Sequence, residues 1–102
     1  MNLNEKIDIE YANTFFKRFK GLMFKKDYDC ALIFTNLTDS TIHTCFMRFD
    51  IDIFFLDETR TVFDKASLKP WKVYKPKKQA KYIIETKKDK LKIKIGECLD
   101  FI

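Results

Sequence analysis

Hydrophobic and polar positions alternate along most of the chain. Ile7, Ile9 and Tyr11 are separated by charged residues, the period-2 rhythm of a strand with one face turned inward. Residues 12–24, ANTFFKRFKGLMF, break that rhythm. Phe15, Phe16, Phe19 and Leu22 fall at helical spacing, Lys17, Arg18 and Lys20 take the other face, and Gly21 can end the turn. This predicts one short helix near residues 13–21. Strand patterns follow at 31–36, 42–47, 51–56, 61–68, 80–86 and 91–102, with LTDS and RFD as turns. In the last of these Leu91, Ile93 and Ile95 alternate with Lys92 and Lys94 until Gly96 interrupts, as a bulge would. Seven short strands and one helix, spaced by roughly ten residues, predict a mainly β, compact antiparallel domain of barrel-like or sandwich form. There is no internal repeat, and 102 residues form a single domain spanning 1–102.

Composition supports a globular chain: 46% of residues are hydrophobic and 34% charged. Only two glycines and two prolines are present, so connections should be short. No apolar run approaches the ~18 residues needed to cross a bilayer. The opening MNLNEKIDIEY places acidic residues where a secretory signal would be apolar, and a cytoplasmic location is expected. Cys30, Cys45 and Cys98 form no CxxC pair and no disulfide framework; they read as small buried hydrophobes in a reducing compartment.

Charge divides the chain. Residues 1–64 carry 8 basic and 11 acidic side chains, net −3, whereas residues 65–102 carry 12 lysines and 4 acids, net +8. The densest stretch, KPWKVYKPKKQAKY (69–82), interleaves six lysines with Trp71, Tyr74 and Tyr82. Lysines with stacking aromatics are what a single-stranded nucleic acid groove uses. Lys69, Trp71, Lys72, Tyr74, Lys77 and Lys78 are therefore the candidates for contact with nucleic acid or another acidic surface. Against this, base readout and phosphate forks favour arginine, and none of the three arginines lies in the stretch. A lysine-rich connection beside edge strands explains the same residues.

The ordered set ANTFFKRFKGLMF, ALIF, IHTCFM, IDIFFLD, YIIE and IGECLDF resembles the family known as domain of unknown function 192, over about residues 12–102. The resemblance implies a compact β-barrel-like domain with a short helix, and no established activity. Carried over by position, it points to Arg18 and Gly21, to His43, Thr44 and Met47, to Asp52, and to Glu85 and Gly96. The chain departs from the family pattern at Asp50, in place of a proline, and in the loop after Glu85.

Were 42–47 a strand, His43, Cys45 and Met47 would share a face. Imidazole, thiolate and thioether suit a soft metal, but the triplet reads equally as a core face, and no metal or cofactor is expected. Side chains two apart on a strand run parallel, which disfavours a Cys45–His43 dyad. Asp52 is more informative: Ile51, Ile53 and Phe55 share one face, leaving Asp52 with Phe54 and Leu56 on the other. A carboxylate there is either paired, with Arg18, Arg48 or His43, or placed at a pocket mouth. The reading is a non-enzymatic domain that binds a small polar ligand or a protein partner at a barrel-end pocket. Its residues are His43, Thr44, Met47, Asp52 and Arg18. Nucleic-acid contact is the alternative, and an enzyme of unknown chemistry ranks third.

Overall fold

The computed structural model describes residues 1–12, 28–35, 37 and 40–101. Among these residues seven strands form two sheets: β1 (Ile9–Ala12), β2 (Ala31–Phe34), β3 (Ile42–His43), β4 (Ile51–Leu56), β5 (Val62–Leu68), β6 (Val73–Tyr74) and β7 (Tyr82–Lys87). The larger sheet has the order β1-β2-β7-β4-β5, and β3 pairs with β6 in a second, two-stranded sheet. All pairings are antiparallel except β1 with β2. The architecture is the mainly β sandwich expected; the sheets do not close into a barrel. The expected helix near 13–21, with Arg18 and Gly21, lies outside the described residues. No described helix is long and apolar enough to cross a membrane.

The large sheet is covered on both faces, which explains why β4 is buried at all six positions. Ile51, Ile53 and Phe55 of β4 pack with Leu32, Phe34, Ile83 and Met47 on one face, under the small sheet. Phe54 and Leu56 pack on the other face with Ile33, Ile84, Leu91, Ile93 and Leu99. The division of β4 into Ile51/Ile53/Phe55 and Asp52/Phe54/Leu56 is thus the one its alternation predicts. The second face is closed by the termini: Leu3, in a single 3-10 turn, is buried there, and its amide donates to the Asp100 carbonyl at 2.7 Å.

Three expectations need correction. The 42–47 strand is only Ile42–His43, because the chain turns at Cys45 and Phe46, where Phe46 has φ 63°. Of the expected 91–102 strand, the described residues 91–101 form none: Leu91, Ile93 and Leu99 are buried, but the segment contributes only isolated bridges, Thr61 with Cys98 and Asn2 with Asp100. Gly96 sits in the turn there with φ 97°, a conformation that favours glycine. The seventh strand is instead β6, inside the lysine-rich stretch. A bulge between Phe55 and Leu56 lets Leu56 face Val62 while Phe55 faces Asp64.

Candidate functional site

Asp52 lies mid-sheet, opposite Ser67 of β5 and Thr86 of β7. It is only 9% exposed, so its oxygens need donors. Ser67 supplies its hydroxyl to one at 2.5 Å, and the backbone amide of Asp89 donates to the other at 2.9 Å. Asp89 has φ 67°, so the turn after β7 is bent to bring that amide inward. These donors, and neither Arg48 nor His43, are what the structure sets against Asp52.

The Asp89 contact also places the following segment. Asp89 and residues 91–94 form one wall of a groove of about 490 Å³, with Asp52, Phe54, Lys65 and Ser67 opposite. Leu91 and Ile93, packed in the core, show the groove only a narrow apolar edge, while Lys92 and Lys94 stand at the rim. Lys65 reaches across, donating to the Ile93 carbonyl at 3.1 Å. The groove can therefore offer an acceptor on one side, a narrow apolar edge and cations at its rim.

His43, Thr44 and Met47 are not in this groove. Met47 is buried under the small sheet, and His43 is exposed, its Nδ1 accepting the Cys45 amide at 3.3 Å. His43, Cys45 and Met47 thus do not share a face. Among the described residues no three of His, Cys, Asp and Glu are placed to hold a metal ion.

Thr44 is fully buried and joins two turns. Its hydroxyl donates to the Lys69 carbonyl at 2.7 Å and accepts the Lys72 amide at 2.8 Å. Its backbone amide donates to the Lys72 carbonyl at 2.8 Å, and its carbonyl accepts from Trp71 at 3.0 Å and Met47 at 3.1 Å. The structure so brings part of one candidate set, His43 and Thr44, beside part of the other, Lys69, Trp71 and Lys72. Tyr74 points away from that surface: it stacks on Phe55 with centroids 5.6 Å apart, and its hydroxyl donates to Asp64 at 3.0 Å. Burial, then the Asp64 carboxylate, push the Tyr74 phenol up. The Lys77 amide also donates to Asp64, at 3.3 Å, and Lys78 lies over the Phe63 ring at 4.8 Å.

Glu85 is buried on the face under the small sheet, beside Leu32 and Ile53, and its Oε1 has no hydrogen-bond partner among the described residues. Burial pushes its carboxyl up to about 8. Tyr28, whose hydroxyl donates to Glu10 at 2.6 Å, is raised by burial and then by that carboxylate. Sequence reasoning missed Ser67, Asp89 and Phe46. The first two are recognisable only through strand register, and Phe46 reads as core because its motif is otherwise apolar.

Comparison with known proteins agrees with this picture of a small β domain. The family of domain of unknown function 192, described as "Uncharacterized ACR", matches residues 1–101. A UPF0127 protein of Thermococcus sibiricus is 44% identical over 101 residues, covering 91% of this chain and 65% of that protein. The chain thus spans about two thirds of that relative's length. A second UPF0127 protein, from Pyrococcus furiosus, is 36% identical, covering 94% of this chain and 88% of its own. The crystal structure of a protein of unknown function from Novosphingobium aromaticivorans superposes with a TM-score of 0.71 at 22% identity. That match covers 78% of this chain and 61% of the other, and it establishes likeness of fold.

Proposed function

Starting from the premise that the chain belongs to the family of domain of unknown function 192, we propose that it is a non-enzymatic binding domain for a small polar ligand, held in the groove above Asp52. One observation carries the reading: a nine-tenths buried carboxylate lines a groove of about 490 Å³. Small-molecule sites are typically ~300–1,000 Å³, largely apolar, with a few placed polar groups. Each Asp52 oxygen keeps a lone pair beyond the donor it already has, so the carboxylate can accept one more hydrogen bond. A ligand suited to the groove carries a hydroxyl or amine for Asp52, a small apolar edge for Phe54, Leu91 and Ile93, and an acidic group for Lys92 and Lys94.

Small hydroxylated and amino acids, sugar phosphates and neutral sugars form the test panel. A true ligand raises the melting temperature by mass action and shifts the amide resonances of Asp52, Ser67 and residues 89–94. Lys92→Ala with Lys94→Ala, both at exposed positions, should abolish the response to acidic members and leave the fold intact. A panel that moves none of those resonances at millimolar concentration defeats the reading.

A further inference from the structure

The turns beside the small sheet, with Val73 of β6, present large apolar side chains to solvent. Trp71 is 62% exposed, Phe46 48% and Val73 68%. The Phe46 and Trp71 rings meet with centroids 4.8 Å apart and planes at 61°, so they form a corner and not a closed stack. Both residues have left-handed backbones, φ 63° and 67°. That conformation is uncommon for bulky side chains and persists only where the surroundings enforce it. The enforcement comes from Thr44, whose carbonyl and hydroxyl fasten the Trp71 and Lys72 amides beneath the corner. Holding large apolar rings outward costs solvation, and the fold contains a buried threonine arranged to do it.

Cations neighbour both corner residues along the chain. Arg48, Lys69 and Lys72 are all exposed, whereas Lys77 and Lys78 lie toward Asp64 and Phe63 and are not part of this surface. Lys69 and Lys72 flank Trp71, and Arg48 lies two residues beyond Phe46.

We propose that the Phe46–Trp71 corner is a stacking platform for the bases of single-stranded nucleic acid, with Lys69, Lys72 and Arg48 contacting the phosphates. A flat ring on a polyanionic backbone satisfies both halves of the surface: every base has a face to stack, and the cations track the phosphates. Few arginines are needed, because stacking of this kind tolerates any sequence and requires no forked contact to base edges. Duplex DNA keeps its bases stacked on one another and offers the platform only phosphates. The site is separate from the groove above Asp52, and neither reading depends on the other.

Trp71 is the chain's single tryptophan, so its fluorescence reports the platform directly. Titration with an oligothymidylate of about ten nucleotides, within the ~4–16 that one small domain covers, should quench that emission saturably at low salt. The logarithm of affinity should fall with the logarithm of salt by about 0.7 per phosphate contacted. Phe46→Ala should weaken binding about 5- to 150-fold, the loss of one stacked base. Lys69→Ala with Lys72→Ala should flatten the salt dependence while leaving the tryptophan spectrum of the free protein unchanged. Anisotropy of a labelled oligonucleotide checks Trp71→Ala, whose folding is verified by circular dichroism. No quenching at the lowest salt overturns the proposal. So does equal affinity for duplex or inorganic polyphosphate, which would mean charge alone. A response to phosphatidylserine vesicles but not to oligonucleotide would reassign the surface to a membrane and overturn it as well.

Discussion

Asp52 accepts the hydroxyl hydrogen of Ser67 across the β4–β5 ladder with 2.5 Å between the oxygens, and among the described residues no cation is paired with it. Hydrogen bonds to a buried carboxylate contribute about 1.5–3 kcal/mol. Asp52→Asn keeps the shape but turns an NH2 toward a donor, and it should cost about 1–3 kcal/mol. Ser67→Ala should cost about 1.5–3 kcal/mol, and the double variant less than the sum by roughly 0.5–3 kcal/mol. Urea denaturation of the four proteins measures this; strict additivity would show that the pair is not coupled.

Thr44→Val is nearly isosteric and strands the Lys69 carbonyl and Lys72 amide at a buried position. A loss of about 1–3 kcal/mol is expected, with a change in Trp71 emission as the turn beneath it loosens. Thr44→Ser keeps the hydroxyl and should restore the emission spectrum. If Thr44→Val left both stability and emission untouched, the clamp between the two turns would be of no consequence.

Tyr74→Phe retains the stack on Phe55 and removes one donor from Asp64. The carboxylate keeps the amides of Lys65 and Lys77. The cost should therefore be that of one hydrogen bond to a charged group, about 1.5–3 kcal/mol, and no more. A denaturation midpoint equal to that of the wild type would mean that water replaces the phenol.

Glu85 sets the pH dependence. Its native value of about 8 lies above the ordinary 4.5, so between these the native state holds a proton that the unfolded chain has released. Stability is then fully present below 4.5, falls as pH rises toward about 8, and levels off above. Asp57 acts oppositely and elsewhere. Its carboxyl is held below 3.8 by the Thr59 hydroxyl and then the Thr61 amide, so its contribution is lost only as pH falls below that range. Urea midpoints between about pH 5 and about pH 9 should decline in wild type and stay nearly flat in Glu85→Gln. An equal decline in both would place the titrating group elsewhere.

Much of the fold is legible in residue patterns. β4 is the clearest case: its two faces, and the placement of Asp52 with Phe54, follow from period 2 alone. The misjudged elements have physical causes. Residues 91–95 alternate as a strand does, yet Ile95 is 54% exposed and the segment packs its Leu91 and Ile93 without joining a ladder. β6 is two residues long within a run of lysines, too short for any periodicity to show. The groove was half legible. Asp52 is conspicuous as a carboxylate in an apolar strand, but Ser67 and Asp89 join it only once register and a left-handed turn are known. The left-handed backbones of Phe46 and Trp71 leave no mark in residue type, since glycine or asparagine would be the usual signal.

Apolar cover on both sides of β4 has a consequence for how the chain finds its pairing. A strand with one wet face cannot slip by one position, because the slip would expose its hydrophobes. β4 lacks that safeguard: five of its six side chains are apolar, and either face accepts them. Asp52 breaks the symmetry. In the native pairing it meets Ser67 and the Asp89 amide; shifted by one, it would turn into the layer beneath the small sheet, among Leu32, Ile83 and Met47. An unpartnered carboxylate there would have to take up a proton or remain charged in an apolar layer. A misaligned β4 is thereby penalised once both layers are in place, and one polar residue makes an otherwise ambiguous strand choose a single partner alignment.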